Sequence, residues 1–258
     1  MKTRIIAVAN EKGGVGKTVT VVNLAAALTR EHKKVLVIDM DPQANATKGL
    51  GIETNGDQPT IYDLVQKPGA VPATDAITAT AWEGLDAIPG DVDLAGAEVE
   101  WADIVGRENR LKDAMGGLPQ GYDFILLDTP PSLSLLTVNV FSFTQKVLIP
   151  CQTHPYAFGA LAELCDTVDA VREEINPEID ILGILATFYD SRTRVSQKVL
   201  GDLRSDERYS HLLFNTIVRS NITIAESAAA GKPVVFFRSS SFGAIDYNDL
   251  AEELLEKY

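Results

Sequence analysis

Nine residues near the start of the chain, Asn10-Glu11-Lys12-Gly13-Gly14-Val15-Gly16-Lys17-Thr18, combine three glycines, two lysines and a threonine. Apolar Ile5–Ala9 precedes them, and a helical pattern follows, with Val21, Leu24, Ala25 and Leu28 on one face. A Gly-rich turn between a strand and a helix can cradle a phosphate. Successive backbone N–H groups line a concavity, and the helix N-terminus adds partial positive charge. In the general pattern G-x-x-x-x-G-K-[ST], the lysine reaches the outer phosphates and the hydroxyl ligates Mg²⁺. Lys17 and Thr18 occupy those places, Glu11 stands where the first glycine would be, and Lys12 is an additional lysine. Two readings of Lys12 stay open at this point. It is an extra cation for a transferring phosphoryl group, or a lysine paired with Glu11 or another carboxylate.

Two further segments place carboxylates just past buried apolar runs. Asp39 and Asp41 follow Val35–Ile38, and Asp128 follows Phe124–Leu127. The ligand crevice of an open parallel sheet lies at the C-terminal ends of its strands. An aspartate there, beside a phosphate loop, suits the surroundings of Mg²⁺. Asp39 and Asp41 are two apart, so on extended chain both can face one side.

The elements that must position these groups read as follows. Ile5–Ala9, Val35–Ile38, Phe124–Leu127, Val147–Pro150, Ile181–Phe188, Leu212–Val218 and Val234–Phe237 are near-continuous apolar runs, the pattern of strands buried on both faces. Leu161–Ile175 has helical spacing, and residues 52–85 read as a loosely helical insertion. Alternating strands and helices predict an α/β fold with a mostly parallel, twisted central sheet and helices on both faces. No domain boundary is placed, and residues 1–258 are read as one domain.

Composition sets limits. The chain has 258 residues, 45% hydrophobic and 23% charged, which excludes disordered and low-complexity classes. No run approaches the roughly 18 apolar residues of a membrane span, and no signal peptide fits ahead of the first strand. Cys151 and Cys165 are too few for a disulfide framework and lack a CxxC spacing. They read as small apolar residues of a protein in a reducing cytoplasm. The net charge is -13, which argues against a nucleic-acid coat protein. Residues 188–238 are the exception, with eight Lys and Arg against five Asp and Glu.

Taken together, the motifs resemble the ParA/MinD group of deviant Walker ATPases. Lys12-Gly-Gly-Val-Gly-Lys17-Thr18 matches its hallmark tract, Asp39-Met-Asp41-Pro-Gln-Ala-Asn45-Ala-Thr47 its switch segment, and Asp128-Thr-Pro-Pro-Ser132 its Walker B region. Tyr189-Asp-Ser-Arg-Thr193, Ala225-Glu-Ser227 and Gly231-Lys-Pro233 resemble the partition branch. The resemblance implies a three-layer P-loop fold and Mg²⁺-dependent ATP hydrolysis. It places ATP against Lys12, Gly13, Gly14, Val15, Gly16, Lys17, Thr18 and Val19. Lys12 would reach across an ATP-sandwich homodimer, and Asp41 would position the attacking water. Thr18, Asp39 and Asp128 would support Mg²⁺. Arg192, Lys198 and Arg219 fall where the branch contacts non-specific DNA. A ParB-like partner would stimulate hydrolysis, in a cytoplasmic, nucleoid-associated protein.

Several positions depart from that pattern. Ala44 stands where glycine is common, Val218 replaces a proline before Arg219, and Thr223 replaces a second basic residue. His154 occupies a position that is often acidic; it reads either as a pH-sensitive interface group or as a hydrogen-bonded loop residue. The alternatives are a membrane-associated MinD-like regulator and a ParA-like positioner of protein cargo. The first needs a basic amphipathic C-terminal helix. The C-terminal residues 246–258 carry Asp246, Asp249, Glu252, Glu253 and Glu256 against Lys257, so an anionic bilayer would repel them. A redox relative with a bridging cluster would need suitably placed cysteines, and the two present do not supply them.

Overall fold

A computed structural model describes residues 2–258. Eight strands form one sheet: β1 (Arg4–Val8), β2 (Val35–Asp39), β3 (Thr78–Ala79), β4 (Leu85–Ile88), β5 (Phe124–Asp128), β6 (Lys146–Gln152), β7 (Asp180–Tyr189) and β8 (Leu213–Arg219). Their order across the sheet is β3-β4-β2-β5-β1-β6-β7-β8. All neighbours are parallel except the short antiparallel β3–β4 pair at one edge. The expected α/β architecture is therefore present.

The helices in chain order are α1 (Lys17–Arg30), α2 (Asn45–Gly49), α3 (Ile61–Gln66), α4 (Ala97–Glu100), α5 (Arg110–Ala114) and α6 (Leu135–Phe143). There follow α7 (Ala157–Glu174), α8 (Arg194–Ser205), α9 (Ile222–Ala229), α10 (Val234–Phe237) and α11 (Phe242–Glu256). Alternate strand residues feed two cores. Ile6, Val8, Val37 and Leu126 join α1 and the C-terminal helices. Ala7, Ile38, Leu127 and Ile149 join the layer that includes α3, α6 and α7. This two-sided burial is why the strands read as continuous apolar runs rather than alternating ones.

Two expectations change. Val234–Phe237 is a single helical turn, not a strand. Pro233 opens it, and the amides of Phe236 and Phe237 both donate to Pro233 O at 3.0 and 2.9 Å. Val234 N donates to Asn23 Oδ1 of α1 at 2.6 Å, while Phe236 stacks on Trp82 with centroids 5.5 Å apart. The apolar run thus serves the helical layer over α1. Residues 52–85 also hold more than loose helix: α3 is followed by β3, and β4 pairs with β2. Leu85-Asp86-Ala87-Ile88 is too short and too interrupted by Asp86 to announce itself as a strand.

Gly183 marks an irregularity in the β6–β7 register. A β-carbon there would stand 2.5 Å from Phe214 Cε2 and 2.7 Å from Leu212 O. Gly183→Ala is expected to destabilise the chain by about 1–3 kcal/mol through overpacking. Urea unfolding should show a lower midpoint at an unchanged slope.

Candidate functional site

The phosphate loop is held from outside. Asn10 Nδ2 donates to Pro150 O of β6 at 2.9 Å, and Asn10 Oδ1 accepts Lys12 N at 2.9 Å. Thr187 Oγ1 of β7 donates to Val15 O at 2.8 Å. The loop turns on left-handed glycines, with φ of 76° at Gly14 and 96° at Gly16, a conformation only glycine adopts freely. Behind Gly16 lies the Phe188 ring, 3.2 Å from where a β-carbon would sit. Gly16 caps α1 without a side-chain hydrogen bond, and the first turn has no acidic residue. The leading N–H groups of a fourteen-residue helix thus face the loop without a side-chain acceptor, the arrangement that receives an anion.

Lys17 is buried, and its Nζ donates to Lys12 O at 3.2 Å. Burial pulls its ammonium below the usual lysine range, while Asp128 and Asp41 pull it back up. Lys12 is half-buried, and among the described residues its ammonium has no hydrogen-bond or ion-pair partner. The reading in which Lys12 pairs with Glu11 therefore fails. Glu11 instead meets Glu163 of α7. Burial and that shared hydrogen bond push its carboxyl up to about 7.

The carboxylates converge through sheet register. Asp39 of β2 pairs with Asp128 of β5, and Val8 of β1 with the same Asp128. Asp39 is fully buried. Its Oδ2 accepts Thr47 N at 2.8 Å and Thr47 Oγ1 at 2.7 Å, and its Oδ1 accepts Asp41 N at 3.2 Å. Burial raises the Asp39 carboxyl to about 6 against the pull of Thr47. Thr47 Oγ1 in turn accepts Gly90 N at 2.9 Å. Gly90 is packed so closely that a β-carbon would lie 2.9 Å from Asp39 Cγ. Asp41 accepts Gln43 N at 2.9 Å, which shapes the turn into α2. Ala44 follows in the left-handed region at φ 50°. A glycine would adopt that conformation without the roughly 1–2 kcal/mol that a β-carbon costs there.

Asp128 differs from Asp39. It is fully buried, and neither carboxyl oxygen has a hydrogen-bond partner of good geometry. Burial, then the Asp39 charge, push its carboxyl well above the carboxylate range, while the Thr18 hydroxyl and Lys17 pull it down. An orphaned buried carboxylate beside a hydroxyl and a phosphate loop fits Mg²⁺. That ion takes oxygen ligands and is commonly held by one or two carboxylates together with substrate phosphates. Among the described residues no three His, Cys, Asp or Glu side chains converge into an all-protein metal cage, so the missing oxygens would come from phosphate and water.

The family profile described as an AAA domain matches residues 3–181. The sporulation initiation inhibitor protein Soj of Bacillus subtilis is 41% identical over 251 residues, spanning 97% of this chain and 98% of Soj. The chain belongs to the ParA/MinD family of P-loop ATPases. The chromosome partitioning protein ParA of Caulobacter vibrioides is 37% identical over 256 residues, covering 98% of this chain and 94% of that protein. Among solved structures, cobyrinic acid a,c-diamide synthase from Mycobacterium smegmatis with a bound ATP analog and magnesium superposes with a TM-score of 0.84. It is 34% identical, covering 99% of this chain and 95% of that one.

The basic segment of this family member is less free than its charge suggests. Arg192 follows β7, and its backbone N, Nε and Nη2 all donate to Asp190 at 2.9, 2.9 and 2.8 Å. Arg219 ends β8. Its N and Nε donate to the buried Asp246 carboxylate at 2.8 and 2.9 Å, Nη2 joins them, and the guanidinium lies 4.2 Å from the Phe242 ring centroid. Lys198, exposed on α8, has no ion-pair or hydrogen-bond partner among the described residues. Tyr189 and Arg219 are in register at the C-terminal ends of β7 and β8, so Arg192 and Arg219 stand at the sheet end that carries the phosphate loop. His154 is an exposed loop residue whose Nδ1 lies 3.0 Å from Pro155 O. Cys151 is buried in β6, with its thiol pushed up to about 12 by burial.

Four contributors escaped the sequence reading. Asn10, Thr187 and Phe188 brace the loop, and Gly90 seals Asp39. They lie 51 to 172 positions from the residues they brace or seal, so only the folded sheet reveals them.

Asp128→Asn is expected to stabilise the chain in EDTA without nucleotide at pH 7.5, by about 1–3 kcal/mol. The sign follows from linkage. The folded Asp128 carboxyl sits above its unfolded value, so it favours the fold at low pH and penalises it as pH rises through the folded value. The gain should therefore shrink toward pH 4. Thermal melting across pH checks this, and a variant that melts lower than the parent at pH 7.5 contradicts it.

Proposed function

We propose that the chain is a Mg²⁺-dependent ATPase that works as a partition switch. ATP closes a homodimer, the dimer holds non-specific DNA, and hydrolysis stimulated by a ParB-like partner releases it. The observation that carries this reading is the pairing of an unpartnered Lys12 with a loop already served by Lys17, beside Asp39, Asp41 and Asp128. One lysine suffices to hold the outer phosphates. A second one with no internal partner is available to a neighbouring subunit's phosphates. The relatives with chromosome-partitioning names support the same reading.

In this reading the loop amides and the α1 N-terminus bind the phosphate chain, and Lys17 exchanges its bond to Lys12 O for a phosphoryl oxygen. Thr18 and Asp128 would hold Mg²⁺, with Asp39 behind them; the ion, when bound, neutralises phosphate charge. Asp41 orients the attacking water, its backbone fixed by Asp39 and its turn by Gln43 N. Lys12 acts across the dimer on the developing charge.

DNA contact would fall to Lys198, Arg192 and Arg219 at one end of the sheet, with dimerisation joining two such ends. Binding of this type is sequence-independent and salt-sensitive. Lys198 is the freest of the three. Lys198→Glu should weaken binding to random-sequence DNA and lower the log–log salt slope by about 1 per protomer. Unchanged affinity at low salt would move the contact elsewhere.

The decisive experiment is binding to random-sequence DNA with ATP, with ADP and without nucleotide, on the parent chain and on Asp41→Ala. The parent should bind only with ATP. Asp41→Ala should bind ATP, turn it over at least about 100-fold more slowly, and stay on DNA. DNA binding that ignores nucleotide rejects the switch. Parental turnover by Asp41→Ala removes Asp41 from its role.

A further inference from the structure

β7 ends on a residue whose backbone conformation its side chain disfavours. Phe188 has φ 51°, in the left-handed region where a β-carbon crowds the following carbonyl. The ladder between β7 and β8 shifts register across the same residues, between Ala186 and Tyr189. Strain of this kind persists only where the surroundings impose it. Both neighbours of Phe188 are tied down. Thr187 Oγ1 donates to Val15 O of the phosphate loop, and Tyr189 O accepts Ser220 N at 2.9 Å. The ring itself lies against Gly16, with Cζ and Cε2 at 3.2 and 3.4 Å from where a β-carbon would stand. Gly16 is the residue from which α1 and Lys17 start. A ring and a loop packed this closely do not shift independently.

A second set of contacts runs from Phe188 to the basic segment. Thr153, just past β6, donates its amide to Thr187 O at 3.1 Å. Its hydroxyl lies 3.5 Å from Phe188 O and 3.0 Å from Ser196 Oγ. Ser196, in the first turn of α8, donates to Thr153 O at 3.2 Å and accepts Asp190 N at 3.4 Å. Thr153 and Ser196 are both buried, so parting them would leave polar groups unpaired. Asp190 is the carboxylate that holds Arg192, and Lys198 stands two residues beyond Ser196. Contiguous contacts thus join the phosphate loop to the start of α8, with the strained Phe188 between them.

We propose that Phe188 is a positioning residue that couples the phosphate loop to α8. Its ring follows Gly16, and its backbone sets where Asp190 and the first turn of α8 stand. A nucleotide that draws the loop amides toward its phosphates moves Gly16 relative to the ring. Two backbone wells are open to Phe188, the left-handed one and the extended one of the strand it ends. Relief of the first is the discrete change that such a movement biases. Arg192 and Lys198 are then presented differently with and without the triphosphate. The coupling itself stands on the contacts; its expression as DNA affinity rests on the function proposed above.

The test is hydrogen exchange across 188–198 of the full chain, with and without ATP and Mg²⁺, beside binding to random-sequence DNA in both states. ATP should alter exchange at 188–198 in the parent. Phe188→Ala should still bind ATP but lose that response, and its ATP-dependent gain in DNA affinity should fall about tenfold or more. Phe188→Leu, which keeps bulk against Gly16, should restore most of the gain. Phe188→Gly suits the left-handed backbone and also lacks the ring, so it replaces Phe188→Ala where that variant does not fold. Ser196→Ala, outside the nucleotide site, should keep parental turnover and the ATP-dependent dimer while the gain falls. Combined with loss of the ring it should add little further loss. A parent that binds ATP without a response at 188–198 overturns the proposal, as does a response that survives in the ringless variant. Strictly additive losses in the double variant overturn it too. Sedimentation showing that Ser196→Ala has lost the dimer would assign α8 to the subunit interface, with the same consequence. A parent whose 188–198 segment responds to ATP through Phe188, yet which never holds DNA, leaves the coupling standing and rejects the proposed function instead.

Discussion

Parallel pairing of β2 with β5 sets two carboxylates, Asp39 and Asp128, side by side at the mouth of the sheet and removes both from water. Nothing about folding favours that arrangement. Like charges in a low-dielectric site repel, and each loses its hydration. The fold tolerates it by unequal means. Asp39 is satisfied by two donors from Thr47 and the amide of Asp41, so its carboxylate is spent on shaping the switch segment. Asp128 is left without a partner. The strand that should be most secure, buried in mid-sheet next to β1, thus ends in the group with most to gain from a cation and a hydroxyl. The rest of the site is arranged around that imbalance.

The braces on the phosphate loop follow from the same geometry. The loop leaves β1 between β5 and β6, and the charges of Asp128 and Asp41 partly offset the burial of its Lys17 ammonium. Asn10, bonded to Pro150, and Thr187, bonded to Val15, hold the backbone so that the glycines keep their left-handed turns. Preorganised amides aimed at a phosphate lose little on binding, because no reorganisation is needed when charge arrives. A loop held only at its two chain ends would lack that advantage.

Much of this was legible in the residues. The strand–loop–helix setting of 10–18, the carboxylates at the ends of the strands formed by Val35–Ile38 and Phe124–Leu127, and six of the seven continuous apolar runs are found in the fold as read. Local chemistry writes itself locally. What stayed hidden depends on distant chain. Val234–Phe237 has the composition of a strand, yet Pro233 and the Asn23 side chain turn it into a helical cap over α1. β4 was missed because four residues including Asp86 carry too little pattern, and its place beside β2 comes from the sheet. Gly90 looks like an ordinary turn glycine until Asp39 is set against it. Ala44 shows the converse: the departure was visible in sequence, and only its φ of 50° explains why a glycine is common there.

The charge balance of the molecule poses a last question, how an acidic chain keeps a basic end. Part of the answer lies in where its C-terminal acids go. In α11, Asp246 turns inward to Arg219, and Glu253 accepts the backbone amides of Asn215 and Thr216 at 2.8 Å each. Those amides belong to β8, the sheet's outer strand, whose unpaired groups would otherwise invite another chain. Tyr247, next to Asp246, places its hydroxyl 3.3 Å from that of Thr20 on α1. One helix therefore closes the edge strand, sets the orientation of an arginine, and packs against the helix that starts at the phosphate loop. Asp246 and Glu253 are structural ligands first, while Asp249, Glu252 and Glu256 stay exposed on the same helix. Lys198, on the opposite side of β8's neighbour and outside this network, keeps a charge that no internal carboxylate claims. The net charge of the whole chain is set by carboxylates spread over its surface; at this end of the sheet Asp246 is already held by Arg219, while Lys198 is not neutralised among the described residues.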